Sequence, residues 1–323
     1  MKIKRIIDRS KHYCKSPKNM SVLMQVLPLI IKRKLEIEIK YFIVKLFKIE
    51  MLGPHYKRKL FEFIREDEIY GSKVSQFWQD IVANMTKEFL AKGMKNFRKG
   101  NLDRNFTTKS VNKNDLQEYY DKIKIFDKYD ILNNLSDPML GNPKVFIKHN
   151  ITWDFLESVD EFYYISNKLN LKLSDKINIC EIGAGYGRTA WVFLNMMPNS
   201  IYNIIDIPHS LFTSYYFIRE NFMLKRCNFF LPHQIKEVNK PDLWINIKSF
   251  QEMTPEIVDN YLQSIDKIGG KYIYLKNNVS NPNWADDIIY GIDSYQLTPK
   301  MKIINVKDEC IYDNSKEMII ENR

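Results

Sequence analysis

Glycine, cysteine and long apolar runs are all scarce in this sequence. The 323 residues include 11 glycines and four cysteines, with no CxxC pair and no histidine at zinc-ligand spacing. That pattern argues against a disulfide framework and a zinc module, and it favours a reducing compartment. The most apolar N-terminal run, residues 22–31, is interrupted by Gln25 and Pro28. It is shorter than the ~20 apolar residues that span a bilayer. We expect a cytoplasmic protein without a signal peptide.

Internal repeats and low-complexity tracts are also absent from the sequence. The hydrophobic fraction of 45% and the charged fraction of 27% are typical of a globular protein. This composition excludes a fibrous or wholly disordered chain. The length suits about two domains.

The basic charge is concentrated at one end of the chain. Residues 1–60 contain 16 Lys/Arg and four Asp/Glu, whereas the other 263 residues contain 33 and 35. Such a segment is most often a solvated helical face. Peripheral contact with an anionic membrane, at its inner face, is the second interpretation, and nucleic-acid binding is the least favoured.

Residues 1–135 predict a helical, basic N-terminal region. Apolar residues at helical spacing indicate a helix over 35–52 that ends at Gly53-Pro54, and further helices over 60–69 and 74–92. Residues 95–114 are polar and without periodicity, which predicts a loop. The run DPMLGNP at 137–143 is typical of a turn.

Residues 145–323 predict a second domain in which strands alternate with helices. Within it, helices are predicted over 152–171, 187–197, 209–223 and 255–267. Short apolar runs predict strands at 177–182, 201–205, 228–231, 243–247, 272–275, 302–306 and 318–320. The pattern indicates an α/β fold with a doubly wound, mainly parallel seven-stranded sheet. The last two strands lack an intervening helix and predict an antiparallel hairpin at the sheet edge.

The strongest motif is the glycine-rich turn after the first predicted strand, EIGAGYGR at 181–188. Glycines allow sharp turns and close approach of a ligand to the backbone. The dinucleotide fingerprint GxGxxG would need its third glycine at position 188, which is Arg188. Glu181 would also repel a pyrophosphate but suits a cationic ligand. We therefore predict an S-adenosylmethionine (SAM) site, with an ordinary tight turn as the alternative.

Two further strand ends support a SAM site. Asp206 ends the second strand, beside the glycine turn in a doubly wound sheet, where a carboxylate can accept both ribose hydroxyls. The third strand ends near Leu231–Gln234, where the adenine would lie, although a plain polar turn is the alternative there.

The loop after the fourth strand, residues 248–252, should face the methyl group of the donor. It lacks the Pro-Pro-aromatic run that is common in amino methylases acting on bases. Asn246, Asn277 and Asn278 stand where metal-assisted hydroxyl methylation would favour acidic residues. We expect no catalytic metal, with Asp286-Asp287 as a residual candidate.

Four segments together resemble the bacterial sugar O-methyltransferase family, within the class I SAM-dependent methyltransferases. They are EIGAGYGR (181–188), IIDIP (204–208), INIKSFQEM (245–253) and YIYLKNN (272–278), with GNP (141–143) a weaker match. The resemblance covers residues 140–280 and implies a Rossmann-like enzyme of polysaccharide biosynthesis. It also implies that Glu181 and the glycines hold the methionine moiety of SAM and that Asp206 holds the ribose.

The candidate site residues fall into three groups. The cofactor group is Glu181, Gly183, Ala184, Gly185, Tyr186, Gly187, Arg188, Asp206, Ile207, Gln234 and Asn246. Candidate catalytic bases are Glu252 and His233; Glu252 could instead cap the next helix, and His233 could face the adenine. His149 and His209 are weaker candidates. Candidate acceptor-binding residues are Lys248, Ser249, Gln251 and Asn278.

The sequence thus predicts methyl transfer from SAM to a sugar hydroxyl of a cell-surface glycan or of its nucleotide- or lipid-linked precursor. Two alternatives remain open. One is an RNA methyltransferase that uses the basic N-terminus for phosphate contacts. The other is a non-catalytic, membrane-recruited module that binds the cofactor.

Overall fold

A computed structural model describes residues 52–70, 76–98, 113–143, 150–279, 291–310 and 313–323. The chain forms two compact units, Met1–Gly53 with Ala83–Gly93, and Pro54–Val82 with Met94–Arg323. In the first unit, the described helical turns include an ion pair of 3.3 Å between Lys92 and Glu88. The second unit contains the sheet. The helix predicted over 35–52 lies outside the described residues, and the division between residues 1–135 and 145–323 stays a prediction.

The described helices are labelled α1 to α8 in chain order. They are α1 Pro54–Tyr70, α2 Gln76–Lys92, α3 Lys113–Phe126, α4 Ile131–Asn134, α5 Trp153–Lys168, α6 Arg188–Met196, α7 Pro208–Glu220 and α8 Pro255–Ile268. Pro54 begins α1, where proline suits the first turn; its predicted role in ending a helix over 35–52 is not tested by the described residues. At the start of α5, the Thr152 hydroxyl accepts a hydrogen bond of 3.2 Å from the Phe155 N–H.

The strands among the described residues form one seven-stranded sheet in the order β3-β2-β1-β4-β5-β7-β6. They are β1 Asn178–Ile182, β2 Ile201–Ile205, β3 Cys227–Phe230, β4 Leu243–Ile247, β5 Tyr272–Asn278, β6 Met301–Cys310 and β7 Asp313–Asn322. Strands β1 to β5 pair in parallel, and β7 pairs antiparallel with both β5 and β6. The predicted doubly wound α/β fold and its edge hairpin are confirmed.

Apolar side chains cover both faces of the sheet. On one face, Trp244 and Ile273 belong to a buried cluster with Val258 and Leu262 of α8. On the other, Phe193 of α6 packs edge-on against Phe162 of α5, with ring centroids 5.1 Å apart. The helices therefore leave the carboxyl edge of the parallel strands as the place where loops converge.

The strand order reverses between β1 and β4, which start crossovers in opposite directions. At such a switch point the loops after the two strands separate and leave a crevice, the usual ligand site of open α/β sheets. The glycine turn follows β1 and residues 248–252 follow β4. The fold therefore brings the two main predicted motifs to one crevice.

Candidate functional site

The three glycines of the turn after β1 adopt backbone conformations that favour glycine. Gly183, Gly185 and Gly187 have φ angles of 76°, 62° and 87°, in the left-handed region that side-chain-bearing residues rarely adopt. A Cβ atom on Gly183 would also collide with the Ser249 hydroxyl. Gly183 is thus required both by its conformation and by the close approach of the loop after β4.

Asp206, just after β2, holds the glycine turn directly. One carboxylate oxygen accepts a 2.9 Å hydrogen bond from the Gly185 N–H, and the other accepts a 2.8 Å bond from the N–H of Ile207. Burial raises the pKa of Asp206 to about 7, against the opposing effect of these two bonds. A carboxyl group that already accepts the Gly185 N–H therefore stands at the turn, where a phosphate-binding loop would offer free N–H groups.

Glu181 lies within β1 and not in the turn. Its carboxylate is buried and accepts a 2.8 Å hydrogen bond from the Tyr202 hydroxyl. Burial raises the pKa of Glu181 to about 7. Glu181 therefore precedes the turn, and its carboxylate already bonds a side chain of the same protein, Tyr202.

Arg188 and Tyr186 from the turn also bind protein groups. The Arg188 guanidinium forms two hydrogen bonds of 2.8 and 3.0 Å with the carboxylate of Glu161 on α5. Lys276 of β5 donates to the same carboxylate at 2.9 Å. The Tyr186 hydroxyl donates to Asp154 at 2.8 Å. These side chains anchor the turn to α5, while Ala184 lies between two of its glycines.

The loop after β4 is held by side-chain amides. Asn246 donates to the Ile182 carbonyl at 2.8 Å and accepts from the Phe250 N–H at 3.1 Å and from the Asn277 amide at 2.9 Å. Gln251 accepts from the Asn278 N–H at 2.9 Å. Asn246, predicted to contact the cofactor, therefore joins β1, β4 and β5 at the crevice.

Lys248 begins this loop in an unusual conformation. Its φ angle is 56°, which costs a residue with a side chain of this size about 1 kcal/mol or more. Its ammonium donates to the Asn278 side chain at 3.1 Å. The four predicted acceptor-binding residues, Lys248, Ser249, Gln251 and Asn278, are thus brought together.

Glu252 ends a short 3-10 turn, Phe250–Glu252, at the same crevice. Burial raises the pKa of Glu252 to about 8; a hydrogen bond from Trp78 of α2 lowers it, and the nearby charge of Asp206 raises it. The Thr254 hydroxyl fills the cap of α8, accepting from the Ile257 N–H at 3.4 Å. The capping role considered for Glu252 is therefore taken by another residue.

The loop after β3 is covered by α1. The Tyr70 ring stacks on His233, with centroids 4.5 Å apart. Gln234 accepts from the Leu231 N–H at 2.8 Å and donates to Glu66 at 2.9 Å. His233 and Gln234 thus face α1, and the described contacts do not bring His233 to Glu252.

The remaining candidates lie elsewhere or outside the described residues. His209 is buried in α7, where burial lowers its pKa to about 4. His149 and Asp286-Asp287 are not among the described residues. Within the described ranges, no group of three His, Cys, Asp or Glu side chains could hold a metal ion, and no helix there is long and apolar enough to cross a membrane.

Sequence reasoning missed the contribution of α1 and α2. Tyr70 and Glu66 reach the loop after β3, and Trp78 reaches Glu252. No motif marks these residues, because their positions depend on contacts between segments about 160 residues or more apart. Their aromatic and acidic character was the only available signal.

No protein-family model and no curated protein matches this chain. Solved structures do match it. The mitomycin 7-O-methyltransferase MmcR is 10% identical, with 95% of this chain and 100% of that chain covered and a TM-score of 0.39. Magnesium protoporphyrin IX methyltransferase ChlM from Synechocystis PCC 6803, with bound SAM, is 12% identical, with 67% and 100% covered and a TM-score of 0.41. Human N-acetylserotonin methyltransferase in complex with SAM is 12% identical, with 52% and 55% covered and a TM-score of 0.35. The likeness concerns the fold, which the sheet itself establishes as α/β and doubly wound.

Proposed function

We propose that this protein is a SAM-dependent O-methyltransferase that acts on a sugar hydroxyl of a cell-surface glycan or of its nucleotide- or lipid-linked precursor. The observation that carries the proposal is the bond from the Gly185 N–H to the Asp206 carboxylate. A pyrophosphate at this turn would meet a carboxylate and one N–H already in use. A donor with a ribose, an amine and a sulfonium meets favourable charge instead.

The groups that line the crevice fit SAM. Each Asp206 oxygen accepts one backbone N–H and keeps a lone pair that can accept a ribose hydroxyl. The glycines at 183, 185 and 187 would let the backbone approach the methionine moiety closely. When bound, SAM supplies an electrophilic methyl group.

Glu252 is our candidate for the general base. The acceptor hydroxyl must lose its proton during or after attack on the methyl carbon, and a carboxylate at hydrogen-bond distance can take it. With its pKa raised to about 8, Glu252 is a stronger base than an ordinary carboxylate. A hydrogen bond from the Trp78 side chain also holds its carboxyl group.

Support for a sugar acceptor comes from the family resemblance and from the groups around Glu252. Gln251 and Lys248 each bond to Asn278, so amide and ammonium groups of the kind that bind hydroxyl groups stand together there. Trp78 offers a ring that a pyranose face could stack on. We propose that the N-terminal region shapes the acceptor pocket and that residues 145–323 bind the donor.

Calorimetry and a methyl-transfer assay test the proposal separately. We expect the purified protein to bind SAM and S-adenosylhomocysteine but not NAD, and to transfer a radiolabelled methyl group to a member of a nucleotide-sugar and polysaccharide panel. If the protein bound NAD but not SAM, the proposal that SAM is the methyl donor would be refuted. Transfer to RNA with a steep salt dependence would favour the RNA alternative, and SAM binding with no transfer would favour a non-catalytic module.

We further propose that residues 1–60 give a cytoplasmic enzyme peripheral contact with anionic membrane. The support is the excess of basic over acidic residues in this segment, since juxtaposed Lys and Arg each add to binding at an anionic surface. Co-sedimentation with phosphatidylserine vesicles, but not with phosphatidylcholine vesicles, is the expected result. Equal recovery with both would contradict the proposal.

A further inference from the structure

A buried arginine after α2 is joined to the glycine turn. Arg98 is fully buried and forms a two-pronged ion pair with Asp137, with N–O distances of 2.7 and 2.6 Å. Its guanidinium also lies 3.5 Å from Asp154 of α5 and 4.6 Å from the centre of the Tyr186 ring. One side chain thus touches three segments that are far apart in sequence.

The turn that carries Asp137 is built around Arg98. The Arg98 N–H donates to the Gly141 carbonyl at 2.9 Å. Gly141 has a φ angle of 81°, and a Cβ atom there would collide with the Phe97 ring. Asp137 also accepts from the Thr152 hydroxyl at 2.6 Å. The DPMLGNP segment, whose sequence predicted only a turn, therefore fixes the position of the arginine.

Tyr186 connects this cluster to the proposed donor site. It stands between Gly185 and Gly187, its hydroxyl donates to Asp154, and its ring packs on Phe217 with centroids 5.1 Å apart. The Arg98 guanidinium lies over the face of the Tyr186 ring. The glycine turn thus has one bulky side chain, and this side chain contacts Asp154, Phe217 and Arg98.

The energetics favour a positioning role over simple stabilisation. Burying a charged pair costs desolvation energy that its attraction only partly returns, so apolar residues would often stabilise as well. A planar guanidinium, however, can bind a carboxylate through two nitrogens and stack on an aromatic ring at the same time. That combination fixes the orientation of the Tyr186 ring, which apolar packing would leave less specified.

We propose that Arg98 is a positioning residue for the donor: it fixes Tyr186 and, through Tyr186, the shape of the turn from Gly185 to Gly187. This inference rests on the proposed function, because it concerns the affinity of the same turn for SAM. It assigns to the DPMLGNP segment and to residue 98 a part in donor binding, although neither contacts the donor.

The first test is Arg98→Lys, which keeps the charge but loses the planar two-pronged contact. We expect the dissociation constant for SAM, measured by calorimetry, to rise about ten-fold, an effect within the range of coupling between residues in contact, because lysine cannot make the bidentate, stacked contact. In a Tyr186→Leu background the same substitution should change the constant less than two-fold, since the coupled partner is gone. Equal effects in both backgrounds would overturn the inference.

A matched control separates this effect from general destabilisation. Glu317→Gln weakens another ion pair of a buried carboxylate, that of Glu317 in β7 with the partly exposed Lys307 at 3.1 Å. It should lower the unfolding temperature without changing the SAM constant. If Arg98→Lys lowers the unfolding temperature equally and leaves the SAM constant unchanged, the role of Arg98 is structural and the proposal is wrong.

Tyr186→Phe provides a second measurement should Arg98→Lys fail to fold. It leaves the Arg98–Asp137 pair intact and removes only the hydroxyl that donates to Asp154. We expect a rise of about three- to ten-fold in the SAM constant; no rise would refute the inference. Absence of SAM binding by the parent protein would instead refute the proposed function, so the two failures are distinguishable.

Discussion

At the scale of single residues, Asp206 combines two tasks. It holds the glycine turn through Gly185 and, by our proposal, it binds the ribose of the donor. Its position was predictable from sequence because a residue at the end of the second parallel strand must lie beside the first turn. Its bond to the Gly185 N–H was not predictable, since that depends on the side-chain torsion.

Asp206→Ala should weaken SAM binding by roughly 1–3 kcal/mol, as expected for the loss of a charged hydrogen-bonding partner. Calorimetry measures the change. Asp242→Ala is the control, because Asp242 also accepts from a backbone N–H, that of Asn178 at 2.7 Å, but at the opposite edge of the sheet. If both variants bind SAM like the parent, the ribose lies elsewhere.

Gly185→Val should abolish SAM binding while the protein stays folded. The φ angle of 62° at this position is strongly unfavourable for a β-branched residue, and the turn would have to move. Circular dichroism checks the fold and calorimetry the affinity. Normal affinity in a folded variant would mean that the turn does not contact the donor.

Glu252→Gln should reduce kcat strongly and leave SAM affinity unchanged, because the amide keeps an acceptor for Trp78 but cannot take a proton. In the parent protein, kcat should rise with pH and level off above about 8, the pKa to which burial raises Glu252. The variant should lose this rise. A parent profile that is flat between about pH 6 and about pH 9 would remove Glu252 as the base.

At the scale of elements, the strands were predicted well, and the helices predicted over 60–69 and 74–92 fall on α1 and α2. A buried parallel strand is recognisable in sequence as a short apolar run between turns. Each of the seven apolar runs predicted to be strands overlaps a strand of the structure. The helix α3 was not singled out, although Leu116, Tyr119 and Ile123 are buried on one face. The placement of α1 and of Trp78 near the crevice comes from non-local packing, which no local pattern encodes.

Trp78→Phe tests whether α2 contributes to the chemistry. The substitution removes the indole N–H that bonds Glu252 and lowers its pKa, so the pH at which kcat levels off should move upward. Tyr70→Phe, in the preceding helix, keeps the ring on His233 and should leave the profile unchanged. Coincident profiles for Trp78→Phe and the parent would show that α2 does not influence the base.

At the scale of the whole molecule, the crevice concentrates carboxyl groups that resist ionisation. Burial raises the pKa of Glu181 from 4.5 to about 7, of Asp206 from 3.8 to about 7 and of Glu252 from 4.5 to about 8. Holding these acids in one place costs the folded protein stability once they ionise. A cationic donor would offset that cost, which relates the stability of the fold to the proposed ligand.

The free energy of unfolding should therefore fall as pH rises from about 4.5 to about 8, because the folded chain then holds protons that the unfolded chain has lost. His209 acts oppositely: with a pKa lowered from 6.5 to about 4, it removes stability as pH falls through that range, so the decline should be clearest above 6.5. Urea unfolding at about pH 6.5 and about pH 8.5 measures this fall in the free energy of unfolding. Asp206→Asn combined with Glu252→Gln should flatten the dependence, and SAM should stabilise the parent more at the higher pH. A parent protein that is equally stable at both values would show that these carboxyl groups ionise as freely in the folded chain as in the unfolded one.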